Sequence, residues 1–213
     1  QAWLLLGLAA AVAAGSLERA RLRQGIVAVA AATALAYPLS APLFRLRDRF
    51  VQISPTWNGM EYMTAARHSQ CGHEFPLAED RQAIDWLRAH VPGTPVIAEA
   101  NTYPVLYGWG SRISSHTGLP TIVGWDWHLR QQMGVQNAGR VERRIADVQE
   151  IYSTPNASRA DELLRRYGAE YVIVGGLERA CTPEPGIGKF QTGVGRYWNT
   201  VFESGATRIY RLA

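Results

Sequence analysis

Residues 25–44, GIVAVAAATALAYPLSAPLF, contain no charged side chain, and neither do residues 1–17, QAWLLLGLAAAVAAGSL. No other feature restricts the folding of this chain as strongly. About twenty apolar residues cross the hydrocarbon core of a bilayer, and the second run has that length. A cleaved signal peptide has a basic start and one shorter apolar core, a pattern these two runs do not reproduce. The expectation is therefore two N-terminal transmembrane helices within residues 1–44, joined by a short loop, ERARLRQ. Gln1 opens inside an apolar run, so the first helix is expected to be truncated. The competing expectation is a buried helical hairpin in a soluble protein.

The formal net charge of +4 is not spread evenly. Residues 1–50 hold Arg19, Arg21, Arg23, Arg45, Arg47 and Arg49 against Glu18 and Asp48, whereas the rest carries sixteen basic and sixteen acidic groups. The excess flanks the apolar runs, where arginine meets lipid headgroups, so the lipid bilayer is the first expected partner. A nucleic-acid binder carries its excess on the folded domain, and no nucleic-acid partner is expected. Three arginines lie on each side of the second run. The positive-inside rule then gives a tie and leaves orientation open.

Residues 45–78 read as an exit segment interrupted by Pro55 and Gly59. From about residue 79 the pattern becomes α/β. EDRQAIDWLRAHV places Ile84, Leu87 and Val91 at helical spacing, with acids in the first turn and Pro92-Gly93 as a stop. PVIAEA reads as a short buried strand. Val141, Ile145, Val148 and Tyr152 mark an amphipathic helix. Ser158 is placed to cap another, with Asp161 three residues on and Ala160, Leu163, Leu164 and Tyr167 on its apolar face. Gly168 ends that helix, YVIVGG supplies a strand with a sharp Gly-Gly turn, and ATRIYRLA closes the chain as a strand after Ser204-Gly205. The fold class is α/β: two N-terminal transmembrane helices, then a small open α/β sheet domain over 79–213, with about four strands. Residues 101–140 form an irregular, aromatic-rich insertion, and long irregular insertions in compact folds are often functional.

Candidate chemistry concentrates in that insertion. Trp125, Trp127 and Tyr103 offer ring faces for the apolar side of a sugar, and Arg112, Asp126 and His128 offer planar polar partners for its hydroxyls. The alternative is that the aromatics pack the domain onto the membrane helices. A third reading makes His116, Asp126 and His128 the ligands of a metal hydrolase. Cys71 and Cys181 fit a disulfide or two unrelated thiols, and His68, Cys71 and His73 together suggest a zinc site. GIGKFQTGVG, residues 186–195, matches neither a Walker A loop nor a dinucleotide fingerprint and reads as a flexible loop. No Gly-x-Ser-x-Gly elbow occurs.

Several short motifs recur in one known pattern. They include Thr56-x-x-Gly59-Met60-x-Tyr62-Met63, Ile84-x-Trp86-Leu87, Val96-Ile97-x-Glu99-Ala100 and Arg112-Ile113-Ser114. Thr117-Gly118-Leu119-Pro120-Thr121, Gly124-Trp125-Asp126-x-His128 and Leu164-Arg165-Arg166-Tyr167-Gly168 extend the set. In these the chain resembles the C-terminal part of the YYY family of polytopic membrane proteins. That family is similar in plan to GT-C glycosyltransferases, which take sugars from polyprenyl-phosphate carriers. The resemblance implies an extracytoplasmic soluble domain that shapes the acceptor side of a lipid-linked sugar transferase. It also implies a catalytic carboxylate upstream of these residues, so no catalytic residue is assigned within them. Neither a metal site nor a cofactor is expected here; in the full-length protein a divalent cation or an Arg would stabilise the leaving phosphate. The expected partner besides the bilayer is a lipid-linked sugar or glycan acceptor. The substrate-binding set is Arg112, His116, Trp125, Asp126, His128, Glu99 and Tyr103, of which Arg112, Trp125, Asp126 and His128 match the family's motif. The rival reading is a non-catalytic, membrane-anchored exported binding or scaffold domain.

Overall fold

The computed structural model describes residues 2–49 and 56–213. Two compact units divide the chain, Gln1–Gln52 and Ile53–Ala213.

The first unit consists of helices α1 (Ala2–Gly15) and α2 (Ala20–Arg49). One stretch of α2, Ala20–Arg45, is long and apolar enough to cross a membrane; the apolar part of α1, Leu4–Gly15, is shorter. Pro38 and Pro42 lie inside α2, and each removes one intrahelical donor. The expected inter-helix loop is corrected here. Arg21, Arg23 and Gln24 continue α2 rather than precede it, because Arg, Leu and Gln are all good helix formers.

The second unit begins earlier than the sequence pattern indicates. A 3-10 turn at Glu61–Thr64 leads into a hairpin of β1 (Arg67–Gln70) and β2 (His73–Pro76), so residues 56–78 are part of the domain and not an exit segment. Met63 and Phe75 anchor this region in the core. The two-residue turn, Cys71-Gly72, has positive φ at both positions, which matches the twist of a tight hairpin.

Next come α3 (Ala78–His90), β3 (Val96–Ala98), α4 (Arg112–Thr117), α5 (Asp126–Met133), α6 (Ala138–Ser153) and α7 (Ala157–Arg166). The chain closes with β4 (Ala169–Val174), α8 (Gly176–Cys181), α9 (Lys189–Thr192), β5 (Trp198–Ser204) and β6 (Thr207–Leu212). The main sheet has the order β3-β4-β6-β5, with β3 and β4 parallel and the other pairs antiparallel. It is thus a small mixed sheet of four strands.

Helical periodicity accounts for the core. Ala83, Ile84 and Leu87 of α3, Val141, Ile145 and Val148 of α6, and Ala160, Leu163 and Leu164 of α7 are all buried. Central strand β4 buries Val172, Ile173 and Val174, as a strand covered on both faces should. Two local expectations are corrected. The cap of α7 is Asn156, whose Oδ1 accepts from the Arg159 amide, and not Ser158. The glycine-rich 186–195 segment is not a flexible loop, because it folds over buried aromatic side chains. Phe190 is fully buried among Tyr152, Trp198 and Tyr210, and its carbonyl accepts from Trp198 Nε1 at 2.6 Å.

Candidate functional site

The chain leaves the two parallel strands at Ala98 and Val174, on the same edge of the sheet. Ligands of open α/β sheets gather at this carboxyl edge. Two very different arrangements of side chains are built beyond it.

The first is a buried ionic knot. Arg112 opens α4 with no exposed side-chain atom. Its Nε donates to Asp80 Oδ2 at 2.6 Å, while Nη1 and Nη2 donate to Glu178 Oε1 and Oε2 at 3.1 and 2.8 Å. Glu178 also accepts from the backbone amides of Ala100 and Gly175, and Asp80 accepts from Trp109 Nε1. Arg112 therefore ties α3, α8 and the loop after β3 together. Its carboxylate partners hold the guanidinium charged against burial, raising its pKa well above the usual value. Arg112 and its hydrogen bonds outweigh burial at Glu178 and hold that carboxyl below the usual range. Gly175 is required by close approach: a Cβ there would sit 3.0 Å from Arg112 Nη2 and 3.1 Å from Asp80 Oδ1. The Gly-Gly pair after β4 thus makes room for packing.

Glu99 belongs to the same interior. It is 4% exposed, and its two oxygens accept from the Ile113 and Ser114 amides at 2.8 and 3.0 Å. Burial pushes its pKa up to about 7, opposed by the Arg112 charge and by these hydrogen bonds. His116 also faces inward along α4. Its Nδ1 lies 2.6 Å from the Arg112 carbonyl, and its ring centroid is 6.0 Å from that of Trp109.

The second arrangement is an exposed aromatic rim. Tyr103, Tyr107, Trp125 and Trp127 keep between 38% and 55% of their surface exposed. His128, at the start of α5, stands edge-on to Tyr107 and Trp125 at 5.2 and 5.6 Å. Asn101 braces the loop that carries Tyr103: its Nδ2 donates to the Gly124 carbonyl, and its Oδ1 accepts from the Tyr103 amide. A cleft of ≈ 610 Å³ opens beside the rim, lined by Tyr103, Leu106, Asp126, Trp127, Arg130 and Glu142 among others. Within it Arg130 bridges Glu142 at 3.0 Å and Asp126 at 3.7 Å, with its guanidinium 5.9 Å over the Tyr103 ring. The cleft thus combines flat apolar faces with a guanidinium and two carboxylates.

Across the Tyr103-Pro104 ridge lies a second cleft of ≈ 410 Å³. Cys71 and Cys181 form a disulfide in its wall, which pins the hairpin to the end of α8. Both thiols are spent, and the zinc reading lapses with them.

The expected substrate-binding set therefore separates. Tyr103 and Asp126 line the cleft, while Trp125 and His128 cluster with Tyr107 on the rim. Arg112, Glu99 and His116 do not: the guanidinium and both Glu99 oxygens are engaged inside the domain, and half-buried His116 packs at Trp109 with Nδ1 against the Arg112 carbonyl. Among the described residues no group of three or more His, Cys, Asp or Glu is placed to hold a metal ion. His116 packs at Trp109 while His128 sits between Tyr107 and Trp125, so the metal-hydrolase reading has no ligand cluster there. Sequence reasoning missed Asp80 and Glu178 as the partners of Arg112, and Arg130 and Glu142 as the polar half of the cleft. Only the Arg130 and Asp126 pair carried a local signal, through its i,i+4 spacing.

No protein-family model matches the sequence, and no curated protein does. Among solved structures, the C-terminal globular domain of an oligosaccharyltransferase from Archaeoglobus fulgidus is similar at 10% sequence identity. The similarity has a TM-score of 0.40 and covers 62% of this chain and 96% of that one.

Proposed function

We propose that the domain 56–213 is an extracytoplasmic, glycan-binding part of a membrane glycosyltransferase of the YYY-family, GT-C-like plan, and that it shapes the acceptor side of the site. One observation carries this reading. The exposed rings of Tyr103 and Trp127 frame a cleft that also holds Asp126, Arg130 and Glu142. Ring faces stack on the CH faces of a sugar, and the guanidinium and carboxylates pair with its hydroxyls, as orienting groups in an aromatic cleft do. The helix Ala20–Arg45 supplies an anchor of membrane-spanning length. A disulfide fits an oxidising compartment and supports an outward-facing domain.

Transfer in this reading deprotonates an acceptor hydroxyl while the sugar leaves a lipid phosphate. The residues described here bind and orient the acceptor; the base lies upstream. The test uses the full-length protein in membranes supplied with labelled polyprenyl-phosphate sugars. Trp127→Ala and Tyr103→Ala are expected to lower transfer by about tenfold or more, the loss of one well-packed stacking contact. Transfer unchanged in both folded variants contradicts the reading. Glycan binding without any transfer by the wild type favours the scaffold alternative.

A further inference from the structure

A different concavity lies between α6 and the end of α7, outside the aromatic rim. It has a volume of ≈ 250 Å³ and is lined by Arg140, Arg143, Arg144, Arg166, Asp147 and Tyr167. Residues 140, 143, 144 and 147 follow i, i+3, i+4, i+7 spacing, so they share one face of α6 beside its buried stripe. Four guanidiniums therefore line it with one carboxylate, and a second, Glu162 on α7, lies 3.3 Å from Arg166 Nη2 at its margin.

The lining carboxylate is already engaged. Asp147 Oδ2 accepts from Tyr167 Oη at 2.6 Å and from Arg166 Nη1 at 3.3 Å. Arg144 is fixed by its bond to the Ile122 carbonyl at 3.2 Å and lies 5.8 Å over the Tyr167 ring. Glu142, the neighbouring acid on α6, is taken by Arg130. Arg140 and Arg143 are left with no hydrogen-bond or ion-pair partner among the described residues. Elsewhere several arginines are ion-paired, as at Arg67–Glu74, Arg81–Asp85, Arg159–Glu150 and Arg165–Asp161, while Arg196 and Arg211 each rest singly over a tyrosine ring. Among the described residues, only here do two unpaired guanidiniums stand on one helix face of a concavity. Like charges at i,i+3 and i,i+4 also repel, which makes this face mildly unfavourable in the absence of an anion.

We infer that this concavity is an oxyanion site that takes a phosphate ester or pyrophosphate group. Guanidinium forks match the tetrahedral oxygens of phosphate in bidentate geometry, which a lone ammonium does not provide. Arg144, held by Ile122 and Tyr167, and Arg166, paired with Asp147 and Glu162, form the wall, and Arg140 and Arg143 supply the uncommitted donors. The site is independent of the glycan reading. It does not use the aromatic rim, and its test does not measure transfer.

The test places the full chain in phosphatidylcholine nanodiscs and follows arginine modification by phenylglyoxal, residue by residue, by mass spectrometry. Inorganic pyrophosphate is expected to slow modification of Arg140 and Arg143 by about tenfold, with Arg196 unaffected as the exposed control. A parallel arm replaces part of the lipid with phosphatidic acid and omits pyrophosphate. Protection in the pyrophosphate arm identifies a soluble phosphoryl group as sufficient. Protection only in the phosphatidic acid arm assigns the phosphate to a lipid headgroup. The double variant Arg140→Gln/Arg143→Gln keeps helix-forming side chains and is expected to retain its unfolding midpoint. It is expected to lose about tenfold in pyrophosphate or phosphatidic acid affinity by titration. Absence of protection in both arms, protection of Arg196 to the same degree, or undiminished affinity of the double variant overturns the inference.

Discussion

Two halves of one short stretch, residues 112–117 and 125–130, use the same residue types for opposite ends. In the first, Arg112 and His116 turn inward. The guanidinium is saturated by Asp80 and Glu178, and the imidazole packs against Trp109. In the second, Trp125, Trp127 and His128 turn outward, and Arg130 sits at the mouth of a cleft. The difference is set by what surrounds each helix. Helix α4 starts against the buried carboxylate of Glu99, which accepts its first free amides, and is drawn into the core. Helix α5 follows Gly124 at the protein surface and buries only Asp126. Polar and aromatic residues in an irregular insertion are thus not one site by virtue of being neighbours. Half of them hold the scaffold and half are presented to solvent.

The sharpest way to break this contrast is to remove the knot. Arg112→Ala leaves Asp80 and Glu178 buried without their cation, and uncompensated buried charge costs about 3–5 kcal/mol. Denaturant unfolding of the purified variant should show a loss of this size. Arg112→Lys should not restore it, since one ammonium cannot bridge two carboxylates in bidentate fashion. A fully stable Arg112→Ala would move this residue to the ligand-facing half.

The disulfide comes next. Cys71 and Cys181 are 110 residues apart, and their bond removes a large part of the unfolded chain's freedom. Cys71→Ser/Cys181→Ser should cost about 2–5 kcal/mol, read as a lower thermal midpoint. Adding reductant to the wild type should reproduce the shift.

The pH dependence of stability tests the interior more finely. Burial raises Glu99 from 4.5 to about 7, so between these values the folded state holds a proton that the unfolded chain has released. Stability then falls as pH rises through this window. Lys189, buried with its Nζ bonded to the Tyr152 and Gly186 carbonyls, is lowered from 10.5 to about 7, again chiefly by burial. From about 7 to 10.5 the unfolded chain holds the extra proton, so stability climbs with pH there. The two effects together predict a minimum near neutral pH in denaturant-derived stability. Glu99→Gln should flatten the acid limb and Lys189→Met the alkaline limb. A maximum at neutral pH would show that neither burial has the stated effect.

The smallest expected effect concerns the cap of α7. Asn156→Ala should cost about 1 kcal/mol, whereas Ser158→Ala should leave the unfolding midpoint nearly unchanged.

Periodicity made α3, α6 and α7 readable, because their buried positions repeat at helical spacing, and α3 and α7 also end on stop signals. Strand β4 was equally plain from its unbroken run, Tyr171 to Val174. The hairpin at 67–76 was not, since RHSQ and HEFP bury only Phe75 on a polar ribbon and are held by a disulfide to a distant residue. Strand β5, WNTVFES, escaped for a related reason: it is an edge strand with Trp198 as its single fully buried side chain. At the candidate site the aromatic rim was visible as a cluster of Tyr and Trp. The fate of Arg112 was not visible, because its partners lie 32 and 66 residues away and a carboxylate's burial leaves no mark in local pattern. Asp80 looked like an ordinary first-turn acid. Lys189 looked like loop, because glycines surround it and the aromatic side chains that bury it come from elsewhere in the chain.

Hydrogen exchange by mass spectrometry, on the full-length protein with and without the acceptor identified by the transfer assay, distinguishes the inward half of the stretch from the outward one. Acceptor-dependent protection is expected only at residues 101–107 and 125–130, with residues 112–117 equally protected in both states. Protection that appears at 112–117 and spares the aromatic rim would contradict that expectation.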